Sequence, residues 1–172
     1  MAAERTTRIA LAAAAIALFA LLAVACGSPS DPGEQLPNIG GETYNNGRFD
    51  LTEVTGRPLV VNFWYPSCPP CAAELPDLQE AYERHGDEVD FVGVFLPFVD
   101  REANARAFLE ETGVRYPSLT DESQQSVLDF GITSFPTTLF INEARTEVVQ
   151  RYVGGPILPD ELDSLITALL EG

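Results

Sequence analysis

The chain has 172 residues, 45% hydrophobic and 21% charged, which suits one globular domain with appendages and a core that needs no disulfide staples. Its 26 acidic residues against 10 basic ones give a formal net charge of −16, and every basic residue is Arg. Nucleic acid and anionic membrane surfaces repel such a chain and are set aside as partners; solubility, a salty habitat and a basic protein partner all fit the acidity.

Arg5 and Arg8 precede an uncharged run rich in Ala and Leu over residues 9–25, which stops at Cys26-Gly27-Ser28. A basic start, an apolar stretch and small residues before a boundary predict a secretory signal over residues 1–25. Leu22-Ala23-Val24-Ala25-Cys26 resembles a bacterial lipobox, with the departure that Ala23 stands three before the cysteine and Leu22 one step earlier. The resemblance implies that Cys26 receives diacylglyceryl and becomes the mature N-terminus. The alternative is an uncleaved anchor, for which the run is at the short end of the roughly 20 residues a spanning helix needs. On either reading the rest is exported and tethered, and setting Cys26 aside leaves one cysteine pair, Cys68 and Cys71. Residues 26–37, rich in Pro, Gly and Ser, read as a flexible stalk, and residues 38–172 as the domain.

Within the domain, Asn46-Gly47 predicts a hairpin turn between short extended pieces. The apolar run Leu59-Val60-Val61-Asn62-Phe63-Trp64 predicts a central strand covered on both faces. Leu75, Leu78, Ala81 and Tyr82 then recur at helical spacing up to Gly86, with Pro76 inside the helix expected to kink it. Residues 89–96 read as a second buried strand. Asp100 is placed to cap a helix that carries Phe108 and Leu109 inward and stops at Gly113. Asp121 with Gln124 suggests a capping box for a brief helix ending at Gly131. Residues 132–141 read as a loop carrying Pro136 into a third strand and residues 147–153 as a fourth, and Pro159 opens a last helix with the stripe Leu162, Leu165, Ile166, Leu169, Leu170.

The chemistry-bearing stretch is Trp64-Tyr65-Pro66-Ser67-Cys68-Pro69-Pro70-Cys71, where the first long strand gives way to its helix. Pro69 and Pro70 fit the first helical turn with Cys68 as N-cap, facing free backbone N–H groups and the positive end of the helix dipole, which favour a thiolate. Cys71, one turn on, points back at it. Such a pair can close a short-loop disulfide and reopen by thiol exchange. Half of a zinc site is the competing reading, but it needs two more N or S ligands where the chain offers only Cys26 and His85. An inert disulfide is another, although a two-residue loop is a poor staple. His85, late in the helix, reads as a surface residue near a C-terminus.

Val61-Asn62-Phe63-Trp64, Cys68-Pro69-Pro70-Cys71 followed by Glu74 and Pro76, a helical insert around residues 100–131, and Phe135-Pro136-Thr137-Thr138 before a strand together resemble the thioredoxin fold. Within it they resemble the TlpA/ResA/DsbE group of membrane-tethered thiol–disulfide oxidoreductases, over nearly all of residues 38–172. The fold class is therefore expected to be α/β, a mixed central sheet with helices on both faces plus an N-terminal hairpin and the insert. The resemblance implies a cis Pro136 packed against the disulfide and an exposed Cys68 as attacking nucleophile. Cys71 would resolve the mixed disulfide, and Glu74 would take its proton; the other reading of Glu74 is an ordinary solvated carboxylate. Asn62 stands where thioredoxins proper keep a buried Asp. Trp64, Tyr65, Phe135 and Pro136 would line the substrate groove, with no cofactor or metal.

The partners implied are protein thiols or disulfides, apocytochrome c among them, and a membrane redox protein that recycles the pair. The site of action implied is the extracytoplasmic face of the bacterial cell membrane. Members of the group either reduce apocytochrome c cysteines or oxidise folding secreted proteins, and the Pro-Pro spacer does not choose between them. Two other functions remain open. A peroxiredoxin-like peroxidase would want Thr or Ser where Tyr65 stands, and an SCO-like copper-delivery protein would want a histidine beyond His85.

Overall fold

The computed structural model describes residues 36–45, 47–53 and 55–172; the predicted signal segment, Cys26 and nearly all of the stalk lie outside the described residues. Two short strands, β1 (Gly40–Glu42) and β2 (Arg48–Asp50), pair antiparallel as the expected hairpin. Five more build the main sheet: β3 (Leu59–Trp64), β4 (Asp90–Phe95), β5 (Ser118–Thr120), β6 (Thr137–Ile141) and β7 (Val148–Val153). Their order is β5-β4-β3-β6-β7, with β3 parallel to β4, β4 parallel to β5, and β6 antiparallel to both β3 and β7. The helices are α1 (Pro69–His85), α2 (Glu102–Thr112), α3 (Gln125–Asp129) and α4 (Pro159–Glu171). This is the thioredoxin-like α/β arrangement that the motifs imply.

Strand β3 is buried along its whole length, and its period-2 alternation divides the core. Val60 and Trp64 join Leu75 and Leu78 of α1 and Leu162 and Ile166 of α4 on one face. Leu59, Val61 and Phe63 join Ile39, Leu51, Phe130 and Ile132 on the other. Covering both faces is what makes a continuous apolar run the right sequence for the central strand. Gly93 in β4 serves the same packing, because a Cβ there would stand 2.5 Å from Ser118 Oγ and 2.9 Å from Trp64 Nε1.

Helix α1 runs from Pro69 to His85 as one element, with Pro76 exposed inside it. Other local expectations are corrected. Asp100 is not the N-cap of α2; Arg101 is, and the Asp100 carboxylate accepts from the Arg101 amide at 2.8 Å and from Asn104 Nδ2 at 2.7 Å. The left-handed C-cap at Gly113, φ 72°, is as read. No capping box forms before α3, where Gln124 is itself left-handed (φ 60°) and Asp121 instead accepts from Ser126 Oγ at 2.5 Å and Val127 N at 3.3 Å. The stripe of α4 is narrower than expected: Leu162, Ile166 and Leu169 are buried, whereas Leu170 is 39% exposed.

The end of the sheet where β3 and β4 begin is held by charge. Asp90 accepts from Arg145 Nη2 at 2.6 Å and from Thr55 Oγ1 at 2.6 Å, and it pairs with Arg57. Arg145 is only 3% exposed. Removing the anion strands a buried guanidinium, so Asp90→Ala should lower the unfolding free energy by about 3 kcal/mol, read by urea denaturation of the oxidised protein.

Candidate active site

At the other end of β3 the chain leaves the sheet at Trp64 and turns through Tyr65-Pro66-Ser67, closed by the Cys68 amide donating to Tyr65 O at 3.2 Å. The Ser67 amide donates to Asp100 Oδ2 at 3.0 Å, which ties this turn to the loop after β4. Cys68 is the N-cap of α1, in extended conformation (φ −95°, ψ 106°), and forms a disulfide with Cys71, Cα to Cα 5.2 Å. Its sulfur accepts from the Cys71 amide at 3.2 Å. That is the one donor the cap offers from the first three helical positions, because Pro69 and Pro70 have no N–H. The several free amides expected around Cys68 reduce to one.

Burial corrects a second expectation. Cys68 is 2% exposed and Cys71 0%, so in the disulfide form the outer cysteine is exposed only marginally more than the inner one. Both belong to the apolar cluster under α1, with Tyr65 and Phe135 packed against it. The Phe135–Pro136 peptide is cis. Pro136 is buried, and the Phe135 ring meets Tyr65 edge-on at 5.5 Å. Trp64 does not line a groove: it is fully buried, its ring 5.8 Å from Phe95 and 5.7 Å from Phe108. Its place in the alternation of β3, in step with Val60, turns it into the core.

Glu74 follows Cys71 by one turn of α1 and is 0% exposed, which removes the reading of a solvated carboxylate. Three neutral donors meet it. Asn62 Nδ2 lies 2.7 Å and Thr138 Oγ1 3.3 Å from Oε2, and the Ile157 amide lies 3.2 Å from Oε1. Asn62 also donates to Thr138 Oγ1 at 2.8 Å, the two residues being direct cross-strand partners. Burial pushes the Glu74 carboxyl up to about 7, against the pull of the three hydrogen bonds. A buried acid that titrates near neutrality beside a cysteine pair can pass a proton within the physiological range.

The sequence pointed to Asn62 and Glu74 but missed Thr138 and Ile157 as partners. Thr138 could have been found from the strand register opposite Asn62, whereas Ile157, beyond the Gly154-Gly155 break, carries no signal for a backbone donor. His85 lies at the far end of α1, 3.5 Å from Asp163 and away from the sulfurs in sequence, half-buried rather than fully on the surface. Among the described residues no group of three or more His, Cys, Asp or Glu is arranged to hold a metal ion, and no helix is long and apolar enough to cross a membrane.

Comparison with known proteins follows the same chemistry. The Redoxin family profile matches residues 31–169. The chain is 30% identical over 124 residues to the thiol-disulfide oxidoreductase ResA of Halalkalibacterium halodurans, covering 72% of this chain and 69% of that one. It is 33% identical over 141 residues to the thiol:disulfide interchange protein DsbE homolog of Paracoccus denitrificans, covering 80% and 74%. Among solved structures, a DsbF homologue from Corynebacterium diphtheriae superimposes with TM-score 0.67 at 25% identity, covering 83% of this chain and 97% of that one.

The position of Glu74 has a thermodynamic signature. Its carboxyl titrates near 7 when folded and near 4.5 when free, so the folded state holds the proton more tightly. Its contribution to stability is therefore full below about pH 4.5, is lost as pH rises toward 7, and is flat beyond. In urea denaturation of the oxidised protein, wild type should lose on the order of a few kcal/mol relative to Glu74→Gln across that window.

Proposed function

We propose, on the premise that this chain belongs to the Redoxin family and is a thioredoxin-like thiol–disulfide oxidoreductase, that Cys68, Cys71 and Glu74 carry its exchange reaction with protein substrates outside the cytoplasm. In the reducing direction the Cys68 thiolate attacks one sulfur of a substrate disulfide, whose bond breaks and whose other sulfur leaves as a thiolate. Cys71 then gives its proton to Glu74 and attacks the Cys68 sulfur. The Cys68–Cys71 disulfide forms, the second substrate thiol is released, and two electrons have passed to the substrate. The oxidising direction is the same path reversed.

The observation that carries this reading is the wholly buried Glu74 carboxyl, titrating near 7 one turn beyond Cys71. Tyr65 and Phe135, in edge contact and half-buried, are the flank on which an extended substrate segment is expected to lie. Pro136, buried behind them, holds that flank in place.

Export and tethering rest on Arg5, Arg8, the apolar run before Cys26, and Cys26 itself as the lipidated residue. A net charge of −16 favours a basic substrate segment, such as an apocytochrome c awaiting haem attachment. A membrane redox protein would return the pair to its starting state.

With a model substrate, Cys68→Ser should abolish exchange, and Cys71→Ser should accumulate the mixed disulfide on non-reducing gels. Glu74→Gln should slow resolution about tenfold or more while changing the first attack far less, read by stopped-flow half-reactions. Equal rates for Glu74→Gln and wild type in both half-reactions remove Glu74 from the mechanism.

A further inference from the structure

We propose that Asp100 is a positioning residue for the cysteine pair: its carboxylate pins the backbone just before Cys68, and its charge disfavours the Cys68 thiolate, biasing the pair toward giving up electrons. This rests on Cys68 and Cys71 being the exchanging pair.

The carboxylate is held on three sides. Oδ2 takes the Ser67 amide at 3.0 Å, and Oδ1 takes the Arg101 amide at 2.8 Å and Asn104 Nδ2 at 2.7 Å. Partial burial works against its charge, but the Asn104, Arg101 and Ser67 donors outweigh it and keep the carboxyl below its usual value. A fixed anion thus stands one residue from the cap position.

At most helix N-termini two or three amides would offset it, but Pro69 and Pro70 remove theirs and leave the Cys71 amide alone. The first turn of α1 carries no acid of its own. Other charged or titratable groups close by in the chain are Tyr65 on the turn, Glu74 and Asp77 on α1, and Arg101 and Glu102 just after Asp100. The charged group hydrogen-bonded to the turn at Ser67 is an anion. Reduction converts the disulfide, two electrons and one proton into a Cys71 thiol and a Cys68 thiolate, so whatever disfavours the thiolate opposes reduction of the pair.

The experiment equilibrates the full chain with reduced and oxidised glutathione and follows the pH dependence of iodoacetamide alkylation of the reduced protein. Asp100→Asn keeps an acceptor for Ser67 and loses the charge; Asp100→Ser repeats the charge loss with a different side chain. Both should shift the equilibrium toward the dithiol by about three- to tenfold, the order of effect of one nearby unit charge in partly solvated surroundings, and lower the apparent Cys68 pKa. The difference from wild type should shrink in 1 M salt. Pro70→Ala, which restores an amide, should shift the equilibrium the same way. An unchanged or oppositely shifted equilibrium in the Asp100 variants, with wild type exchanging normally, overturns the role of Asp100. Failure of wild type to exchange with glutathione overturns instead the assignment of the pair.

Discussion

A carboxyl group with no contact with water has to be met by donors from the protein, and in this fold they come from three separate places. Asn62 on β3, Thr138 on β6 and the backbone of Ile157 ahead of α4 converge on Glu74, which α1 lowers onto the sheet. The arrangement demands that β3 and β6 keep their register, since Asn62 and Thr138 reach the same oxygen only as cross-strand partners. It demands too that the chain beyond Gly155 fold back over the sheet. The site is therefore a product of tertiary packing, although its two sulfurs are only three residues apart.

The same polar cluster accounts for a break in an otherwise apolar strand. β3 would be a uniform hydrophobic rod but for Asn62, whose amide faces the helix-covered side and supplies two hydrogen bonds there. The neutral amide leaves a single ionisable group in the cluster. That group's affinity for its proton is set chiefly by the contest between burial and three neutral donors, with the like charge of Asp77 adding to the side of burial.

Much of this was legible in the sequence because the local rules agreed with one another. The apolar run of β3, the prolines at the start of α1 and the left-handed glycine ending α2 each have one physical solution, and the structure adopts it. The misreadings cluster where tertiary contacts override local chemistry. Asp100 has the side chain of an N-cap but spends it on Ser67 and Asn104, and Asp121 reaches past its capping box to Ser126. Trp64 sits beside the cysteine motif in sequence, yet the alternation of the strand sends its ring inward. For Glu74 the sequence left a solvated carboxylate open beside the role of proton acceptor, and only the donors from β6 and from the chain ahead of α4 close that alternative.

The inward turn of Trp64 also makes the protein its own reporter. It is the chain's one tryptophan, and it shares an apolar cluster with both sulfurs. A disulfide quenches a nearby indole where a dithiol does so less, so intrinsic emission excited near 295 nm should track electron transfer in real time, with no label attached and no second indole to subtract.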